Sequence, residues 1–561
     1  MTAIAAPSSP LEDAVALARS GRFDEAEALT RGHLAANPHD AEFLNVLGGI
    51  ARARGDGVRA AECYAEALRW HPSFAKARSN LGAVLLEAGR VDEAIGHLRQ
   101  ALLSDPDCID ARVNLGAAFV SQGKYADAER ELEAALAVSP DDALARNSLG
   151  TALFHQGQLG EAIAAYERAI AADPTLIMAL NNLGTAWREQ GDWAKAEENF
   201  RRALSLDSNH AEAWSGLGVV LRERGRLDEA LAAQERALVI KPGFAIAQFS
   251  RGLIELGQGR FADGFRDYLA RSPTDKERLF RAVLPRDLTG KRVLLLSDQG
   301  YGDELFFLRF APELKRRGAA LVYRAGSAIA PIVGRLGLLE DVLAAHAPES
   351  DRDFALSIGD LPHALGIDSV GDLPVPLALP ALESERKVIA ATLARLGPPP
   401  YVGLTWRAGT RAWNALQKAV PIDVWGRTLA GVPATFLALQ RDPDGGEIEA
   451  LSAAIGAPLH DLSALNRSLE SMLALLHLID AYVGVSNTNT HLRAGTGKVA
   501  HVLVPYPPEW RWMNAGDRSP WFPSFPLYRQ GVPDRSGGGW TDALTTLRRD
   551  LDSFLSVGAA S

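Results

Sequence analysis

Residues 111–140 read ARVNLGAAFVSQGKYADAERELEAALAVSP. Leu115-Gly116 opens an apolar run, Gly123 punctuates it, Ala128 follows five residues on, and Pro140 closes the stretch. The same residues stand 34 positions away in both directions. Glycine recurs at Gly21, Gly55, Gly89, Gly123, Gly157, Gly191, Gly225 and Gly259. Leu-Gly recurs from Leu47 through Leu81, Leu115, Leu149 and Leu183 to Leu217. Alanine keeps the phase from Ala26 to Ala230, and proline from Pro38 to Pro242, with Ser208 breaking the proline series once.

Each position has a physical task. The turn glycine supplies the positive φ that ends a first helix, and the small residues let two helices approach closely. Proline stops the second helix, which it cannot continue. The period and the pattern are those of the tetratricopeptide repeat. Seven repeats run from about residue 7 to 244, the first worn to Asp13-Ala14 where Leu-Gly belongs. A degenerate eighth is expected to cap the stack, giving an all-α superhelix over 1–278. Such a solenoid leaves a concave groove suited to an extended peptide. The residues preceding Leu-Gly should line it: Val46, Asn80, Asn114, Ser148, Asn182 and Gly216. Asn80, Asn114 and Asn182 resemble the asparagine ladder of O-linked GlcNAc transferases, which implies an acceptor-peptide groove; the alternative is polar residues solvating a helix face.

Composition narrows the classes. A chain of 561 residues exceeds one core. A net charge of −10 gives no electrostatic case for nucleic acid. Cys63 and Cys108 are the only cysteines, in no metal-binding spacing, and read as small buried residues of a reducing, cytoplasmic compartment. Residues 1–10 lack the charge and apolar core of a signal peptide, and no membrane span is expected.

Near residue 278 the period ends, and short β-rich runs alternate with helical stretches. Strands are expected at 293–297, 320–323, 402–405, 435–439, 482–485 and 500–504, and helices at 304–317, 423–429 and 468–478. The run Pro398-Pro399-Pro400 separates two β/α sets, which read as Rossmann-like lobes at 285–397 and 400–561.

Three motifs, in order, resemble heptosyltransferase-like GT-B glycosyltransferases: the segment from Gly300-Tyr301-Gly302-Asp303 to Pro312; Lys418-x-x-Pro421-x-x-x-Trp425; and the tract from Tyr482 to Lys498 with His491-Leu492 and Gly497-Lys498. Repeats followed by this domain are similar to bacterial repeat-bearing transferases, including ones that modify flagellin. The resemblance implies a metal-independent enzyme moving sugar from a nucleotide-sugar co-substrate, without further cofactor, to Ser/Thr hydroxyls of a captured protein, flagellin included. It implies Asp303 as general base, although an Asp at this turn also reads as a helix N-cap. It implies Lys418 on the leaving phosphate, with Arg407 and Arg411 sharing the load. Ser486, Asn487, Thr488 and His491 would hold the donor at a helix start, and Gln440 would approach the nucleotide. Ser486-Asn487 stands where the family has Asp-Thr, which leaves open a non-catalytic adaptor; a lipid or polysaccharide acceptor is a third reading. Gly495-Thr496-Gly497-Lys498 is no phosphate loop, since Val499 stands where Ser or Thr is required. The aromatic tract from Trp510 to Phe522 reads as packing rather than a base-stacking platform.

Overall fold

A computed structural model describes residues 9–271, 279–297, 300–326, 328–344, 352–407, 419–532 and 538–558. The N-terminal half is all-α, sixteen helices from α1 (Pro10–Arg19) to α16 (Phe261–Tyr268), paired as tetratricopeptide repeats. All eight turn glycines adopt φ between 71° and 82°. The glycine of Leu-Gly is required by packing. A Cβ on Gly116 would stand 2.5 Å from Leu132 Cγ, and one on Gly48 would stand 2.6 Å from Tyr64 Cε1. In the seventh repeat, α13 (Ala211–Glu223) and α14 (Leu227–Ile240), the covering residue is Gln234, whose Nε2 donates to Ser215 O at 3.0 Å. Cys63 and Cys108 are half-buried and unpaired, less enclosed than expected.

The chain divides into two compact units, 1–209 and 210–561. The seventh and eighth repeats thus cluster with the C-terminal region, whereas a boundary near 278 was expected. The eighth repeat, α15 (Ala245–Gly257) with α16, does not end in a solvated cap. Leu256, Phe261, Phe265 and Tyr268 are buried in one core with both β sheets. Arg271, just past α16, pairs with Asp360 at 2.5 Å and donates to Ser357 Oγ at 2.8 Å.

The elements around the first sheet are β1 (Arg292–Leu296), α17 (Tyr301–Leu308), α18 (Ala311–Arg316), β2 (Ala320–Ala325), α19 (Ala330–Gly334), β3 (Asp341–Ala344), β4 (Phe354–Ser357), α20 (Leu361–Leu365) and α21 (Glu383–Leu396). Those around the second are β5 (Tyr401–Thr405), α22 (Ile422–Leu429), β6 (Thr435–Ala438), α23 (Glu447–Ile455), β7 (Leu459–Asp461), α24 (Leu469–Leu478), β8 (Ala481–Val485), α25 (Thr488–Gly495), β9 (His501–Val504), β10 (Leu527–Arg529) and α26 (Thr541–Gly558). The single helix expected over 304–317 is two, because a proline at 312 cannot donate a hydrogen bond and would crowd the carbonyl of residue 308.

Both sheets are wholly parallel, ordered β3-β2-β1-β4 and β10-β9-β8-β5-β6-β7. Helices on both faces make their strands near-continuous apolar runs, and β8 is buried at every residue. Each sheet has one point where the strand order reverses direction, between β1 and β4 and between β5 and β8. Ligands of open parallel sheets bind beyond the carboxyl ends of strands at such points.

Candidate functional site

The two reversal points lie against each other. α17 begins at the carboxyl end of β1 and α25 at the carboxyl end of β8, and their first turns meet. A Cβ on Gly302 would stand 3.0 Å from His491 Cδ2 and 3.5 Å from Thr488 Cα, so the two first turns approach closely there. Two helix starts carry unbonded backbone N–H groups and the positive ends of two dipoles.

Asp303 lies in the first turn of α17, with Gly300 as N-cap and no side-chain cap, so the N-cap alternative does not hold. Its Oδ1 accepts from Arg511 Nη2 in a short ion pair, and its side chain remains about one-third exposed (31 %). Arg511 is buried beside Phe306, Phe307 and Trp510, its guanidinium 4.7, 5.7 and 4.8 Å from the ring centroids. Burial works against its charge, yet Asp303, Tyr268 and Glu509 outweigh it and raise its pKa. Glu304, next in the chain, is buried and turned away, accepting from Ser297 Oγ at 2.7 Å and from Tyr323 OH.

His491 is buried, edge-on to Phe306 and Phe522. Burial holds its pKa well below the usual value, and Arg511 and Arg309 push the same way, so the imidazole is neutral. Arg309 is buried as well, donating to Phe306 O at 3.0 Å and Trp521 O at 2.7 Å; burial takes its pKa down to about 9.

Three of the other expected donor ligands, Asn487, Gln440 and Arg407, have hydrogen-bond partners within the protein. Asn487 caps α25, its Oδ1 accepting from Thr490 N at 3.2 Å and Tyr482 OH at 2.9 Å, while Nδ2 donates to Thr405 Oγ1 at 3.1 Å. Gln440 is buried and splints two loops: Oε1 accepts from Trp406 N and Arg407 N, both at 3.1 Å, and Nε2 donates to Arg441 O. Arg407 forms a two-pronged pair with Glu447, both prongs 3.1 Å, and donates to Asp442 O at 2.6 Å. Ser486 and Thr488 are half-exposed at the turn. Lys418 and Arg411 lie outside the described residues. An Asp-x-Asp triplet, Asp442-Pro443-Asp444, follows β6. Among the described residues no group of three or more His, Cys, Asp or Glu could hold a metal ion.

In the repeats, Asn80, Asn114 and Asn182 are half-buried and spend one amide N–H on the preceding repeat. Nδ2 donates to Asn45 Oδ1 at 2.8 Å, Ser79 Oγ at 3.1 Å and Asn147 Oδ1 at 3.0 Å, respectively. Each amide has a second N–H, and an Oδ1 that can accept. The tract from Trp510 to Phe522 is packing, as expected: Trp510 and Trp521 sit against Phe265 at ring separations of 6.0 Å. Arg511 and Arg309 were not singled out from the sequence. The available signal was a charge inside an apolar aromatic run, Trp510-Arg511-Trp512, which demands a partner when buried.

The fold and this arrangement define a tetratricopeptide-repeat protein with a C-terminal region of two parallel α/β sheets. Two tetratricopeptide-repeat families match, one at residues 11–72, 113–177 and 181–244 and the other at 51–118. The chain is 26% identical over 310 residues to Protein FlbA of Caulobacter vibrioides, a match covering 49% of this chain and 50% of that protein. The chain thus spans about half the length of the curated relative it matches. Among solved structures it is similar to the Cut9–Hcn1 hetero-tetramer of the APC/C (TM-score 0.41, 18% identity, 43% of this chain and 48% of that one). It is also similar to a tetratricopeptide repeat protein of Parabacteroides merdae (TM-score 0.36, 18% identity, 44% and 97%). A third is YrrB, described as having an unusual peptide-binding site (TM-score 0.27, 23% identity, 33% and 96%). Among the described residues no helix is long and apolar enough to cross a membrane.

Proposed function

We propose that the chain is a GT-B-type glycosyltransferase that moves a sugar from a nucleotide-sugar donor to Ser/Thr hydroxyls of a protein held by its repeats, with flagellin as an acceptor and the cytoplasm as the compartment. The observation that carries this reading is the meeting of the α17 and α25 starts, one from each lobe, at the reversal points of two parallel sheets. A donor diphosphate is the ligand suited to two opposed helix starts. Asp303 Oδ2 accepts the proton of the acceptor hydroxyl as its oxygen bonds to the anomeric carbon and the sugar–phosphate bond breaks. Lys418 and Arg411 neutralise the departing phosphate. Asn80, Asn114 and Asn182 retain an N–H and a carbonyl oxygen for the backbone of a bound peptide.

A second reading, a non-catalytic adaptor, is favoured by the engagement of Arg407, Gln440 and Asn487 within the protein. The two readings part in a thermal-shift series with UDP, ADP, GDP and CMP. Stabilisation by one nucleotide, and loss of sugar transfer in Asp303→Ala and Lys418→Ala, is expected of the transferase. No stabilisation by any, with transfer undetected, leaves the adaptor. A chain starting at residue 210 tests the acceptor, because a lipid or polysaccharide acceptor should still react without residues 1–209.

A further inference from the structure

Residues 506–522 form a strap fixed along its length to the rest of the C-terminal unit. Tyr506 OH donates to Arg224 O at 3.1 Å, in the turn of the seventh repeat. Asn514 N donates to Gly257 O at 3.1 Å, at the end of α15. Arg529, at the end of β10, donates to the carbonyls of Trp512, Met513 and Ala515. The far end is held by Arg309 through Trp521 O at 2.7 Å. Between these anchors the strap presents Arg511, whose guanidinium holds the Asp303 carboxylate while its buried Nε has no hydrogen-bond partner among the described residues.

A carboxylate near the start of a short helix, one-third exposed, has several rotamers open to it. Arg511 selects one of them, and its own freedom is small, because three aromatic rings flank its guanidinium and its backbone belongs to an anchored segment. A base must be placed to within a fraction of an ångström and 10–20° to work, and residues that touch no substrate supply that placement.

We propose that Arg511 is the positioning residue of Asp303, and that the strap carrying it makes the placement of Asp303 depend on the docking of the seventh and eighth repeats. The proposal rests on the transferase reading for its catalytic consequence, but the placement itself is separately measurable. Hydrogen–deuterium exchange of the full chain reads it directly. Arg511→Met keeps the length and apolar stem and removes the charge; exchange of residues 300–308 should then rise about five-fold or more, with β5 and β8 unchanged. Arg511→Lys should restore most of the protection. Tyr506→Phe, far from Asp303, should raise exchange in the strap and also in residues 300–308. In transfer assays Arg511→Met should lower kcat about ten-fold or more while KM moves little, with partial rescue by Arg511→Lys. Unchanged exchange at 300–308 in Arg511→Met overturns the proposal, as does a rise spread evenly over β5 and β8, which marks a packing role alone. If the exchange pattern holds but the wild-type chain transfers no sugar, the placement stands and the transferase reading falls.

Discussion

Arg335, following α19, donates two hydrogen bonds to the carboxylate of Glu470 at the start of α24, and a third to Pro380 O. Both partners are largely shielded, with side-chain exposures of 27% and 17%. A double-mutant cycle of Arg335→Ala and Glu470→Ala should give a coupling of about 1–2 kcal/mol in denaturant unfolding. A coupling within error of zero would mean that the pair is solvated and leaves the two helices independent of it.

Gly302 faces His491 closely, and a Cβ there would stand 3.0 Å from His491 Cδ2. Gly302→Ala should reduce sugar transfer strongly, by roughly ten-fold or more, through displacement of the first turn of α17, while shifting the thermal midpoint by only a few degrees. Adding His491→Ala should recover part of the spacing, seen as a return of nucleotide-induced stabilisation. A single substitution without effect on nucleotide binding or transfer would place the site elsewhere.

Gly116 lies under Leu132, and Gly116→Ala forces a Cβ to 2.5 Å from Leu132 Cγ. The cost should be about 1–3 kcal/mol, read from guanidinium unfolding of the helical signal. Leu132→Ala in the same chain should relieve the clash, so the double variant loses less than the sum of the single ones.

His501, buried on β9, shares a hydrogen bond with Tyr528 OH at 2.9 Å. Burial, outweighing the favourable charge of Asp550, lowers its pKa to about 4. The unfolded chain therefore binds a proton near pH 6.5 that the folded chain refuses until near pH 4. Stability is full above pH 6.5 and falls as pH drops through that window, by something on the order of 2–3 kcal/mol at its end. His501→Phe should flatten this part of the stability–pH curve. An identical slope in the variant would assign the acid sensitivity to other groups.

The repeats were readable because a solenoid writes its packing into a local period: Gly116 meets Leu132 sixteen residues on, inside one repeat. Strands β1, β5, β6 and β8 were readable as buried apolar runs. Strands β3, β4, β7 and β10 were not, being three or four residues long and lying at the sheet edges, each with a single strand neighbour. At the candidate site, several side chains read from the sequence as ligands have partners within the protein that the motifs do not announce. Asn487 is engaged by Thr405, Arg407 by Glu447 and Asp303 by Arg511, 82, 40 and 208 residues apart. Motif spacing carries no trace of such partnerships, because they join segments far apart in the chain.

The turn glycine Gly225 differs from its siblings in what lies over it. A Cβ there would meet Tyr506 OH at 1.6 Å, whereas those on Gly55, Gly89 and Gly157 would meet nothing within 4 Å. The repeats look interchangeable in sequence, but the seventh has become a dedicated fitting. The Tyr506 contact is made by the turn of the seventh repeat itself. An exchange of the seventh module for any sibling would have to recreate it.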